Sequence, residues 1–133
     1  MSEAAARTKL GAVSPCFIVT DVDRSIAFYS GKLGFEARYR EPEEGAFFAI
    51  VGRDMAQIFV KSDKHVAPLP NHKRHRFMRW DAFVYVADPD ALSAEFAGRG
   101  VSFSEALKDT HDGLRGFEIT DPDEYVLFFG RPR

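Results

Sequence analysis

Two stretches of this chain repeat one another at a spacing of 67 residues. Residues 13–28 read VSPCFIVTDVDRSIAF and residues 80–95 read WDAFVYVADPDALSAE. In that register Val19 lies over Val86, Asp21 over Asp88, Asp23 over Asp90 and Ala27 over Ala94. Each copy runs from an apolar strand through a D-x-D step into an amphipathic helix. A repeat of this size is one supersecondary unit, too small to bury its own apolar face, so two such units must share a core.

The first strand is expected over about 13–19 and the second over about 81–87. Asp21 or Asp23, and Asp88 or Asp90, are natural N-caps, because a short carboxylate accepts hydrogen bonds from free first-turn N–H groups. Ile26, Tyr29 and Leu33 continue the helical stripe in the first copy, and Leu92 and Phe96 in the second. The helices end near Gly34 and near Gly98 or Gly100. Strand-like segments follow at 35–39, 46–51 and 56–61, then at 101–103, 116–120 and 125–130. Turn residues separate them: Glu43-Glu44-Gly45, Gly52-Arg53-Asp54, Asp112-Gly113 and Asp121-Pro122-Asp123-Glu124. The reading is α+β, with βαβββ modules at 12–63 and 80–131 joined by a basic linker at 64–79 into one structural unit. That linker carries Lys64, Lys73, Arg74, Arg76 and Arg79.

Bulk properties exclude several classes of function. The chain has 133 residues, and a formal net charge of −2 gives no global attraction to nucleic acid or to an anionic membrane. The longest apolar run, Ala46 to Val51, is far too short to span a bilayer. Residues 1–12 contain no apolar segment of the kind that marks a secretory leader. Cys16 is the single cysteine, so no internal disulfide forms and a cytoplasmic location is expected. Thirteen Phe is a high count for this length, enough to fill a core and line a cavity as well.

The stretch V-T-D-V-D-R-S-I-A-F-Y-S-G-K-L-G-F at 19–35 resembles the opening of vicinal oxygen chelate proteins. That superfamily includes glyoxalase I, extradiol dioxygenases, and fosfomycin and bleomycin resistance proteins. The stretch F-E-I-T-D-P-D-E-Y-V-L-F-F-G at 117–130 resembles its closing motif. The resemblance covers about 12–131 and implies that each module curls its sheet into a half-barrel. Helices would pack outside, a pocket would open on the concave face, and two copies would associate as a homodimer.

In metal-dependent relatives four inward-facing positions carry His and Glu ligands. Carried over, these positions hold Ser14, Phe59, Asp81 and Phe128. Phenylalanine has no donor atom, and one hydroxyl beside one carboxylate is too little for a divalent ion, so no metal and no cofactor are expected. The histidines offer no substitute. His65, His72 and His75 lie in the linker and His111 in a later loop. H-x-x-H at 72–75 sits among Lys73, Arg74 and Arg76, which repel a metal. That segment reads as a solvated or lid-forming loop, or as a site for a phosphate or carboxylate group.

Strand alternation gives the expected pocket lining. Ser14 brings Cys16 and Ile18 to its face, and Phe59 brings Gln57 and Lys61. Asp81 brings Phe83 and Tyr85, Phe128 brings Val126, and Phe47 adds a further ring. Phe59 and Phe128 would offer ring faces to planar or cationic groups, or would meet each other and close the pocket. Groups for catalysis are few. Cys16 has no histidine in its own or the paired strand, and Asp81 is either a general base or a bonded strand-edge carboxylate. Glu124 stands where the family's turn has glycine, at roughly 1 kcal/mol if the left-handed conformation is kept.

These residues point to metal-free binding or sequestration of a small organic ligand, as in antibiotic-binding relatives. The alternatives are a lyase, isomerase or dioxygenase with an atypical site, and a metabolite-sensing module.

Overall fold

The computed structural model describes residues 7–133, so the part of the leader reading that falls on residues 1–6 lies outside it. The first module comprises β1 (Cys16–Ile18), α1 (Val22–Leu33), β2 (Glu36–Glu41), β3 (Phe48–Arg53) and β4 (Ala56–Lys61). The second comprises β5 (Ala82–Tyr85), α2 (Pro89–Gly98), β6 (Phe103–Asp109), β7 (Leu114–Thr120) and β8 (Val126–Pro132). A short 3-10 turn at Asn71–Lys73 interrupts the linker. The sheets are ordered β1-β4-β3-β2 and β5-β8-β7-β6, with the first strand of each parallel to its neighbour and the remaining pairs antiparallel. The repeat seen in the sequence is therefore a repeat of topology.

The two helices start at equivalent caps. Asp21 Oδ1 accepts from the Arg24 N–H at 3.1 Å, and Asp88 Oδ1 accepts from the Ala91 N–H at 3.0 Å. Gly34 ends α1 in the left-handed region (φ 73°), where a side chain would be strained. The main departure from expectation is β6, which begins at Phe103 and runs to Asp109 rather than spanning 101–103. It is an edge strand whose alternating residues Ser104, Ala106 and Lys108 face solvent, so its apolar signal is diluted.

One apolar core runs through both modules. Phe17, Val22, Tyr29, Leu33, Val51 and Val60 join Phe96, Phe117, Ile119, Leu127 and Phe129 in a single buried cluster. The D-P-D-E turn locks the modules together. Asp121, 5% exposed, accepts from the Tyr29 hydroxyl at 2.8 Å and from the backbone N–H groups of Asp123 and Tyr125. Asp123 Oδ1 accepts from the Thr20 backbone and hydroxyl and from Arg24 at the start of α1. Tyr125 stacks on Phe17 with centroids 4.3 Å apart, and its hydroxyl donates to the Ile18 carbonyl. Burial pushes the Asp121 carboxyl up to about 6, although the hydrogen bonds it accepts pull the other way. Glu124 has φ 73°, so the turn keeps the left-handed conformation without the glycine.

Candidate functional site

Each sheet has one face under the helices and one face open. In the first, Phe17, Ala49, Val51, Ile58 and Val60 are buried on the helix side. The opposite parity sets Cys16, Phe59, Ile50 and Tyr39 in one row across the four strands. Phe48 and Phe59 meet edge to face at 5.7 Å, and Tyr39 meets Phe48 at 6.0 Å. Gln57 accepts from Arg38 at 3.3 Å, Lys61 is exposed, and Ser14 is half-buried just before β1. Phe47 falls outside this group. It precedes β3, is about half exposed (51%), and its neighbour Phe48 supplies the ring on Phe59. An apolar pair such as Phe47-Phe48 does not reveal which member faces inward until the strand start is known.

On the second sheet Phe83 and Phe128 are paired across β5 and β8, with ring centroids 5.4 Å apart. The indole of Trp80 stacks on Phe128 at 4.3 Å, its plane 24° from parallel. Beneath lie Gly116 and Gly130, paired across β7 and β8. A Cβ on Gly116 would sit 2.6 Å from Phe128 Cζ, and one on Gly130 would sit 2.5 Å from Phe128 Cε2. The two glycines thus make the floor on which an edge of the ring rests. Phe128 is consequently 3% exposed and does not offer the free ring face expected of it. Phe83 and Tyr85, by contrast, are exposed.

Trp80 is pinned by Glu118, a carboxylate that is 5% exposed on β7 opposite Phe128. Glu118 Oε2 accepts from Trp80 Nε1 at 2.8 Å, and Oε1 accepts from Arg79 at 2.7 Å and from Ser104 at 3.2 Å. Three donors meet the desolvation cost of this carboxylate. Trp80, Phe128, Gly116 and Glu118 form one wall of a cavity of about 340 Å³, rimmed by Glu105 and Lys108–Asp112 of the β6–β7 hairpin. Sequence reasoning misses Trp80 and Glu118 as members of the site. A lone glutamate between Phe117 and Ile119 in an apolar strand is the signal that marks Glu118.

Asp81 is committed elsewhere. Its Oδ1 accepts from the Asn71 N–H at 2.9 Å and its Oδ2 from the Val126 N–H at 2.8 Å, tying the linker to β8. The metal positions of the family therefore hold a hydroxyl, two phenyl rings and a carboxylate already bonded to backbone. That donor set does not fit a divalent ion. Among the described residues no three His, Cys, Asp or Glu side chains gather closely enough to hold a metal. His72 is bonded to the Glu124 carbonyl and His75 to that of Phe77. On the open faces, Tyr39, Phe48 and Phe59 of the first sheet pair only with each other, as do Trp80, Phe83 and Phe128 of the second, among the described residues.

Known proteins share this architecture. The family model described as Glyoxalase/Bleomycin resistance protein/Dioxygenase superfamily matches residues 10–129. The bleomycin-binding protein of bleomycin-producing Streptomyces verticillus, solved with copper(II)-bleomycin, shares 25% identity and a TM-score of 0.68, over 96% of this chain and 99% of that one. TnmS3, an antibiotic binding protein from Streptomyces sp. CB03234, shares 19% identity with a TM-score of 0.69, over 96% of this chain and 100% of that one. A glyoxalase-related enzyme from Clostridium phytofermentans shares 15% identity with a TM-score of 0.71, over 95% of this chain and 98% of that one. No curated protein matches the sequence. No helix among the described residues is long and apolar enough to cross a membrane.

Proposed function

This chain belongs to the glyoxalase/bleomycin resistance protein/dioxygenase superfamily, and we propose that within it the protein is a metal-free binder that sequesters a small aromatic ligand, such as an antibiotic, against its open sheet faces. The observation that carries this reading is the row of Cys16, Phe59, Ile50 and Tyr39 on a sheet whose other face is already packed under α1. An apolar sheet face left open in this way is a binding surface that calls for a cover. The bleomycin-binding relative supports the kind of ligand. The protein acts as a cytoplasmic homodimer in which the open faces of two copies enclose the ligand. Its exposed lone thiol suits a reducing compartment.

An enzyme using Asp81 as a general base is the weaker alternative, because both oxygens of that carboxylate already accept backbone hydrogen bonds. The test is a thermal-shift screen over aromatic metabolites and over glycopeptide and polyketide antibiotics. A ligand at 100 times its Kd adds ~2.7 kcal/mol. Phe59→Ala should lose that gain while keeping the unliganded melting temperature near that of the parent. No shift with any compound, together with stoichiometric co-purified Fe, Ni, Zn or Mn, would overturn the binder reading.

A further inference from the structure

We propose that the cavity over Trp80 takes an organic cation, whose charged nitrogen replaces the Arg79 guanidinium on Glu118. This rests on the reading of the open sheet faces as the ligand surface, and it names the ligand's chemical class.

Glu118 and Arg79 are an unequal pair. The Glu118 side chain is 6% exposed and held in β7, whereas that of Arg79 is 41% exposed at the end of the linker. A buried carboxylate requires a cation or several donors, but nothing requires that the cation come from this chain. The segment carrying Arg79 is poorly anchored. Phe77 is 80% exposed, and Met78 is 63% exposed with φ 58°, a left-handed conformation that a non-glycine residue adopts under strain. Swinging Arg79 out leaves Glu118 Oε1 open to the cavity.

The wall beside Glu118 suits the same kind of ligand. Trp80 is stacked on Phe128 and pinned through its Nε1, so the indole is a fixed plate. A cation over such a plate gains attraction from the ring quadrupole, and a planar ring gains stacking. The rim is acidic, with Glu105, Asp109 and Asp112 lining it, and its one lysine, Lys108, is engaged by Glu105. An anionic ligand would therefore face Glu118 and three further carboxylates at the rim. A neutral one would leave Arg79 seated. A cation displaces Arg79 and restores the charge pairing of Glu118, which keeps its donors Trp80 and Ser104 throughout. In the free protein Arg79 acts as a plug.

The experiment compares two probes of one shape, N-methylquinolinium and uncharged 1-methylnaphthalene, by calorimetry and by the emission of Trp80, the only tryptophan in the chain. The expected result is at least tenfold tighter binding of the quinolinium. Arg79→Ala should tighten the quinolinium a further tenfold without changing the naphthalene. Glu118→Gln should erase the preference. Equal affinities for the two probes, or weaker quinolinium binding by Arg79→Ala, would overturn the plug while leaving a small-molecule binder in place. Binding of neither probe also overturns it, and an accompanying silent antibiotic screen would remove the functional reading too.

Discussion

Phe128 and Trp80 lie face to face with their centroids 4.3 Å apart, and an edge of Phe128 rests on Gly116 and Gly130. The stack exists because two residues have no side chain. Gly116→Ala would put a methyl group 2.3 Å from the Phe129 carbonyl oxygen and 2.6 Å from Phe128 Cζ, and the backbone oxygen cannot swing aside. We expect a loss of roughly 1–3 kcal/mol in chemical denaturation. Trp80 emission should shift to the red as the indole lifts off. An unchanged midpoint would show that the ring does not rest on this floor.

Glu124 occupies a left-handed position at φ 73°. Glu124→Gly should raise stability by about 0.5–1 kcal/mol, because relief of the side-chain clash exceeds glycine's extra unfolded-state entropy. The substitution also removes the ion pair of Lys73 with Glu124 at 3.1 Å, which joins two exposed side chains and contributes little. A lower melting temperature for the glycine variant would mean that the turn depends on the glutamate side chain.

The two βαβββ modules were legible because one register carries both the D-x-D caps and the apolar strands. Asp21 and Asp88 could be separated from Asp23 and Asp90 only by the hydrogen bonds to Arg24 and Ala91. The site was less legible. Asp81 looks like a functional carboxylate in sequence, yet its partners are backbone groups of Asn71 and Val126, ten and 45 residues away. Phe128 looks like a pocket ring, yet the glycines that bury its edge lie on either side of a β7–β8 pairing that no local pattern encodes. Trp80 and Glu118 matter together, through a contact spanning 38 residues.

Asp121 gives the protein a pH dependence of known sign. Its carboxyl titrates at about 6 in the folded chain, above the unfolded value of about 4. The folded state therefore holds its proton more tightly than the unfolded state does. The stabilisation is complete below about pH 4 and lost as pH rises toward about 6, with a span of roughly 2–3 kcal/mol. Asp121→Asn keeps an oxygen for the N–H groups of Asp123 and Tyr125. Denaturant midpoints measured from pH 4 to 7 should fall more steeply in the parent than in the variant. Parallel curves would remove Asp121 as their source.

Tyr29→Phe tests the same lock from the other module. It deletes the donor to Asp121 Oδ2 at 2.8 Å in a wholly buried setting. The expected cost is about 1–3 kcal/mol. It should be larger at pH 7.5 than at pH 5, because the ionised carboxylate needs the hydroxyl most. An equal cost at both values would show that the hydroxyl does not distinguish the two charge states.

The core that joins Phe17, Tyr29 and Val60 to Phe96, Phe117 and Phe129 limits how such a chain can arise. Cut at the linker, either half would present a bare aromatic surface to water and would aggregate or seek a twin. A single module of this design is thus obliged to pair with a second one.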